Sequence, residues 1–388
     1  MADAFDWGLL EPAGEAGLAV SDDRVLAAMV EVERAYLAAW SELLGVDSSA
    51  ELTSETIDKD ALLRSSRQAG VPVVGLVDAL RRQGGERVHQ GMTSQDVLDT
   101  ALMIVSRDAL IQARTRLASA GRRLCDLALE HRATTTIART LTQEAEPTTL
   151  GAVISVWLDA VTSALEVLDE VSYPVQLGGA VGDGNAMVRR SGAPDAVTTL
   201  RHRVAEELGL TDPDRSWHAE RSPVQAVTQA AASVCSAGGR IGRDLGLLAR
   251  DGLITPSHGG GSSSMPHKHN PVDAVLLVAN CLRVGGALAV LQSAALSYDA
   301  RPAGEWHAEW QAWRETLRLA AESASLLDRV SGDLVVHAEG AVAQARPETG
   351  PRAADDSDLI AAGHVVASAV SRFSRVVPAD RATGGGTQ

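Results

Sequence analysis

At 388 residues the chain is long enough to bury a large core and to form two or three domains. Its formal net charge of -15 argues against nucleic acid as a partner, because no basic stripe is present to displace counterions. The first residues carry acids and no basic stretch, and no apolar run reaches the roughly 20 residues of a bilayer span, so the expectation is a cytoplasmic protein without signal peptide or membrane partner. Cys125, Cys235 and Cys281 are odd in number and lack metal spacing, which reads as reduced core thiols. With only Phe5 and Phe373 for phenylalanine, the core is expected to be mostly Ala, Leu and Val.

In chain order, residues 1–93 read as an N-terminal helical domain that ends in the string His89-Gln90-Gly91-Met92-Thr93-Ser94-Gln95-Asp96. A helix follows from about Ser94 to His131, with Leu98, Leu102, Val105, Leu110, Leu117 and Leu124 roughly on one face. Thr93 or Ser94 can cap it, and Asp96 in its first turn suits the helix dipole. Capping leaves His89, Gly91, Thr93 and Gln95 without a purpose. The second string is Arg139-Thr140-Leu141-Thr142-Gln143, whose polar groups are of the kind that orient carboxylates. A helix is expected from about Pro147-Thr148 to Val171, then a turn or loop over Gly178 to Gly184.

Further helices are expected over about Pro223 to Arg250, Pro271 to Ser297 and Trp306 to Val330. Arg346 to Asp358 reads as a linker to a short terminal helix. Strand-like alternation is nearly absent, so the fold class is all-α. Helices this long and Ala-rich suggest a bundle that shares its core with other subunits. Residues 94–340 form its central part and 341–388 a shortened C-terminal segment.

The stretch from Gly259 to Pro271 joins three glycines, three serines, one lysine, two histidines and an Asn-Pro helix start. Lys268 and Lys59 are the only lysines, all other fixed cations being Arg. A loop with hydroxyls, a compact ammonium and a helix N-terminus suits an anionic substrate and a reaction that develops negative charge. His267 and His269 have no acidic or cysteine partner at ligand spacing, so neither a metal nor another cofactor is expected.

Taken together, Gly261 to Lys268 with Asn270-Pro271, Thr93 to Asp96 with Asp99-Thr100-Ala101, and Arg139-Thr140 with Gln143 and Pro147 resemble three regions of the fumarase/aspartase superfamily of lyases. The resemblance covers about residues 1–340. It implies a homotetramer built on a long central helix bundle with smaller helical end domains, a catalytic loop at 255–270 and active sites assembled from different chains. Ala69 to Val77, Trp217-His218 with Arg221, and Arg301 with Gly304 to Trp310 are similar to the bacterial 3-carboxy-cis,cis-muconate cycloisomerases, a branch of aromatic-compound catabolism. His269, Ser222, Ala300 and Val71 depart from that branch, as does the short C-terminus.

Carried over residue by residue, the resemblance makes Ser262 the acid/base at carbon and Lys268 its electrostatic support. His89, Thr93, Ser94, Arg139, Thr140, Gln143 and Asn270 become the groups that bind a small polycarboxylate. For His89 a structural role weighs equally, and Arg139 can instead pair with Asp96 or Glu144. Many superfamily members have a proton-donating His after Arg-Thr, where this chain has Leu141. A carboxylate leaving group, with a pKa of about 4, needs no such acid. The expectation is therefore reversible lactonisation of 3-carboxy-cis,cis-muconate. A β-elimination that expels a weak base such as nitrite, as from nitrosuccinate, stays open, and so does a non-catalytic helical scaffold.

Overall fold

The protein is described by a computed structural model that covers residues 14–46, 50–255, 260–262, 265–339, 341 and 352–378. The described residues form an all-α fold in which strands occur only as three two-stranded antiparallel pairs. They divide into two units, and the division falls inside four long helices.

Unit 1 comprises Met1–Ile111, Val171–Gln229 and Gly285–Arg318. Its first helix, α1 (Asp22–Leu43), starts where Ser21 accepts the amide of Arg24 and two acids occupy the first turn. Glu33, Tyr36 and Trp40 of α1 stand three and four residues apart, so they share one face, and all three are buried. Then come α2 (Lys59–Ala69) and α3 (Val73–Gly84), joined through Gly70 in the left-handed conformation (φ 72°). The first half of α4 (Ser94–Glu130) runs from the polar string at 89–96. Two short helices, α6 (Asn185–Ser191) and α7 (Ala196–Leu208), follow the glycine-rich segment, and α7 packs on α1. The starts of α8 (Ser222–Arg250) and α10 (Glu305–Gly332) and the end of α9 (Val272–Ala294) complete the unit.

Unit 2 comprises Gln112–Glu170, Ala230–Val284 and Leu319–Gln388. Here the Arg139 string forms a hairpin of β1 (Thr135–Thr140) and β2 (Gln143–Thr149), which leads into α5 (Leu150–Glu170). Pro147 does not open the helix as expected. It pairs with Ile137 in the hairpin, a position its missing N–H tolerates, and α5 starts three residues later. A short pair, β3 (Ile254–Thr255) with β6 (Val335–Val336), holds the base of the glycine–serine segment. That segment is itself a hairpin of β4 (Gly260–Ser262) and β5 (Met265–Asn270). The terminal helix α11 (Asp356–Val376) opens with a capping box between Asp355 and Asp358 and packs on α5.

The core is mostly Ala, Leu and Val, as expected. Trp40, Trp157, Trp217 and Trp313 are its largest fully buried side chains. Each indole N–H has an acceptor, as burial requires: Gln90 Oε1, Asp244 Oδ2, the Val175 carbonyl and Ser106 Oγ respectively. A correction concerns apolar length. Helices α5 and α9 have mean hydropathies of 1.5 and 2.0 and are long and apolar enough to cross a membrane by length and composition. About 61% of α5's apolar window is buried within the chain but only 28% of that of α9, which leaves Val275, Leu282 and Val290 exposed.

Helix α11 is held to α5 by Arg372, which donates to Glu166 (2.6 Å), Ser163 (2.8 Å) and Asp159 (3.1 Å), and its Phe373 is buried. The Phe373 ring lies against Gly121 in the middle of α4, where any Cβ would overlap it. In an open helix, Gly to Ala stabilises by roughly 1 kcal/mol. Here Gly121→Ala should instead lower the melting temperature. In a Phe373→Leu background, which withdraws the ring, the same substitution should raise it. Differential scanning calorimetry of the four proteins tests this, and a stabilising Gly121→Ala in the wild-type background would refute the contact.

Candidate active site

The string at 89–96 is fixed from two sides, both within unit 1. From α1, Glu33 Oε1 lies 2.6 Å from Nδ1 of His89, Tyr36 donates to the Gln90 carbonyl (2.6 Å) and Trp40 to the Gln90 amide oxygen (3.1 Å). His89 takes a positive φ of 64°, uncommon for a residue with a Cβ, so its conformation is imposed by these partners. The second anchor is Asp96, fully buried. It accepts the backbone N–H of Thr93, Gly178 and Gly179 at 2.9 to 3.0 Å and the Gln176 amide at 3.1 Å. Gly179 has a φ of 69°, and a Cβ there would meet the Gly91 carbonyl at 2.9 Å, so the two segments touch only because residue 179 is glycine. Burial pushes the Asp96 carboxyl up to about 6, against the pull of its four donors.

With Asp96 accepting the Thr93 N–H, half of a capping box is present. The other half is missing, because the Thr93 hydroxyl accepts from Arg301 Nη2 (2.5 Å) instead of capping the helix. The same Nη2 stands 3.5 Å from Nε2 of His218, and the guanidinium lies over the Trp306 ring at 5.3 Å. Below this group is a buried charge network. Arg221 bonds Asp99 (2.7 Å) and Glu309 (2.5 Å), Trp306 donates to Asp99 (2.9 Å), and Gln95 donates to the His218 carbonyl (2.7 Å). Burial opposes the charge on Arg221, but its two carboxylates outweigh that cost and raise its pKa. His218 has the opposite balance. Burial, and then the charge of Arg301, lower it to about 4, with Asp99 pulling the other way.

The sequence-derived candidates therefore divide. His89, Thr93 and Ser94 lie in unit 1, and Thr93 is joined there by Arg301 and His218. Arg139, Thr140, Gln143, Ser262, Lys268 and Asn270 lie in unit 2, on two hairpins. Arg139 pairs with Glu144 and Asp251, each at 3.5 Å, and not with Asp96, whose acceptors are taken by other donors. Between β1 and β2, Leu141 and Thr142 form a two-residue turn with φ of 50° and 70°, a geometry that favours Asn-Gly. Leu141 is 96% exposed, and Thr140 and Gln143 beside it are exposed too. Ser262 pairs with Met265 at the end of the other hairpin, and Lys268 lies within β5; the side chains of these two residues are outside the described set. Among the described residues no group of three metal-ligating side chains occurs.

Sequence reasoning used Arg301 and His218 only as marks of a branch and gave them no role. The available signal was a Thr in an N-cap position whose hydroxyl has a competing partner, and only coordinates reveal that.

The His218 shift has a pH signature. An imidazole in the unfolded chain titrates near 6.5, whereas folded His218 does so at about 4. Between these values the unfolded chain holds the extra proton, so stability falls as pH falls through the window. Asp96 acts in the opposite sense between about 6 and 3.8, because there the folded chain holds the extra proton. The His218 share is isolated by comparison. Relative to wild type, His218→Gln should lose up to about 3 kcal/mol less between pH 7 and 4 in urea unfolding at fixed protomer concentration. Parallel curves would mean that His218 is not buried as the neutral imidazole.

Comparison with known proteins agrees with this architecture. A lyase family model matches residues 24–286. The chain is 40% identical over 365 residues to nitrosuccinate lyase of Streptomyces davaonensis, covering 87% of this chain and 77% of that protein. It is 33% identical over 277 residues to the 3-carboxy-cis,cis-muconate cycloisomerase of Pseudomonas putida, covering 68% of this chain and 64% of the relative, less than two thirds of its length. The crystal structure of the 3-carboxy-cis,cis-muconate lactonizing enzyme from Pseudomonas putida superposes with a TM-score of 0.79 at 26% identity, covering 93% of this chain and 97% of that one. Long helices interrupted by polar strings, a lyase match over most of the length and this superposition lead to one conclusion: the chain belongs to the fumarase/aspartase superfamily of lyases.

Proposed function

We propose that the protein is a β-elimination lyase that releases nitrite from nitrosuccinate and leaves fumarate. The observation that carries this reading is the likeness to nitrosuccinate lyase, higher in identity and longer in coverage than that to the cycloisomerases. Leu141 supports it chemically. It stands where a leaving-group acid is expected and has no proton to give. Nitrite is a weak base and departs without one.

In the reaction proposed, Ser262 as its alkoxide removes a proton from the carbon next to one carboxylate. The electron pair of that C–H bond forms the C=C bond, and the C–N bond breaks with its pair on nitrite. The Ser262 proton then passes to solvent. Lys268 stabilises the alkoxide or the aci-carboxylate that forms beside the deprotonated carbon. Asn270, Thr93, Ser94, Thr140 and Gln143 orient the carboxylates. His89, with Nδ1 on Glu33, and Arg139, with two acidic partners, support the strings on which they stand. No metal or other cofactor has a step in this scheme.

A second reading, reversible lactonisation of 3-carboxy-cis,cis-muconate, is favoured by the superposition on the Pseudomonas putida lactonizing enzyme. It too needs no leaving-group acid. For either reaction we propose a cytoplasmic homotetramer whose sites draw the three strings from different chains. The exposed apolar residues of α9 and the exposed Thr140 to Gln143 tip are in keeping with burial against further copies.

The assay is direct. Purified protein should release equimolar nitrite and fumarate from nitrosuccinate, with Ser262→Ala at least ~100-fold slower while folding normally. Loss of diene absorbance from 3-carboxy-cis,cis-muconate, with nitrosuccinate untouched, would transfer the assignment to the second reading. Leu141→His should not accelerate nitrite release, because the leaving group has no use for the proton; a faster variant would contradict the proposed role of residue 141. Mixing inactive Ser262→Ala with inactive Gln143→Ala protein should regenerate part of the activity, and a monomer by light scattering would refute the tetramer.

A further inference from the structure

Arg301 differs from the buried cations of unit 1, Arg201 and Arg221. Arg221 is paired with Asp99 and Glu309, and Arg201 with Asp212 and Asp214. Arg301 meets only neutral groups among the described residues: the Thr93 hydroxyl, the His218 ring and the face of Trp306. Its Nε is out of solvent and makes no hydrogen bond. A guanidinium in a partly buried place with no counter-charge is complementary to an anion with planar oxygens, which it binds through paired N–H groups. Its direction is set by Nη2, which donates to Thr93 and points its remaining N–H towards Nε2 of His218. That contact requires a lone pair on Nε2. A proton there would set N–H against N–H beside a fixed positive charge. The charged groups acting on His218 are Arg301, Asp99 and Arg221, and Asp99 is already engaged by Arg221, Gln95 and Trp306.

We infer that Arg301 is a binding cation for a substrate carboxylate or nitro group, and that His218 is a positioning residue that holds Arg301 on Thr93 through its Nε2 lone pair. This deepens the reading under Proposed function, since it names the group in unit 1 that takes one end of a polycarboxylate.

The test separates the two layers. Fumarate and 3-carboxy-cis,cis-muconate serve as binding probes in calorimetry, independent of turnover. Arg301→Met should weaken the better-bound probe at least ~30-fold, as loss of a charge-assisted pair implies. His218→Leu, similar in bulk but without an acceptor, should weaken it about tenfold, and His218→Gln, which restores an acceptor oxygen, should recover most of that loss. In the Arg301→Met background His218→Leu should have no further effect, because the two residues act through one contact. Crystal structures give a readout that needs no ligand: Arg301 should leave Thr93 in His218→Leu and stay in His218→Gln. Wild-type affinity in Arg301→Met, no binding of either probe by wild type, or an Arg301 still seated on Thr93 in His218→Leu would each overturn the inference. A wild type that binds a probe but leaves nitrosuccinate intact would overturn only the reaction assigned above.

Discussion

The carboxylate of Asp96 is the constraint on which unit 1 depends. It takes three backbone amides and one side-chain amide from two distant parts of the chain, 93–96 and 176–179. A buried carboxylate without donors would be prohibitively costly; with four it becomes a fixed point for both segments. Gln176, itself held by Asp96, accepts the Trp217 N–H at 2.8 Å, so the segment that carries His218 is set by the same node. Thr93 therefore has a determined place at the head of α4, and the partners of its hydroxyl are decided by what stands opposite.

The buried network around Arg221 is a second layer of the same construction. An ion triad so deeply buried contributes little net stability by itself, since desolvation offsets most of the attraction, but removing one member leaves an unpaired charge. Its value is geometric. Asp99 and Glu309 fix Arg221, Asp99 also fixes the Trp306 indole, and Trp306 supplies the face on which the Arg301 guanidinium rests. Two carboxylates and one guanidinium thus stand behind the indole on which a cation without a carboxylate partner rests.

Much of this was legible in the sequence, for physical reasons. Helices α4, α5, α8, α9 and α10 announce themselves through apolar periodicity over more than 20 residues, a signal too long to arise in loops. The local pattern reads Asp96 as a dipole partner, which is correct in position but understates it, because the donors at residues 176 to 179 are invisible to local pattern. The hairpin at 135–149 was missed. Its strands hold Thr, Arg, Gln and Glu without clear alternation, and Pro147 there mimics a helix start. The four buried tryptophans went unnoticed because residue counts show how rare an aromatic is and not how deeply it sits. Arg301 and His218 could be found by resemblance only, since their meaning lies in contacts across 83 to 208 residues of chain.

The Leu141-Thr142 turn has a consequence for how such an enzyme can diverge. The Leu141 side chain is almost wholly exposed and packs on nothing in its own unit, while the backbone beneath it already bears positive φ. Exchanging this residue leaves core volume, register and helix caps untouched. Under the proposed function, chemistry at the tip and stability of the scaffold are thereby separable properties. On that reading a lineage on this fold can gain or discard a proton donor at the tip by one codon change, without first acquiring a compensating mutation elsewhere.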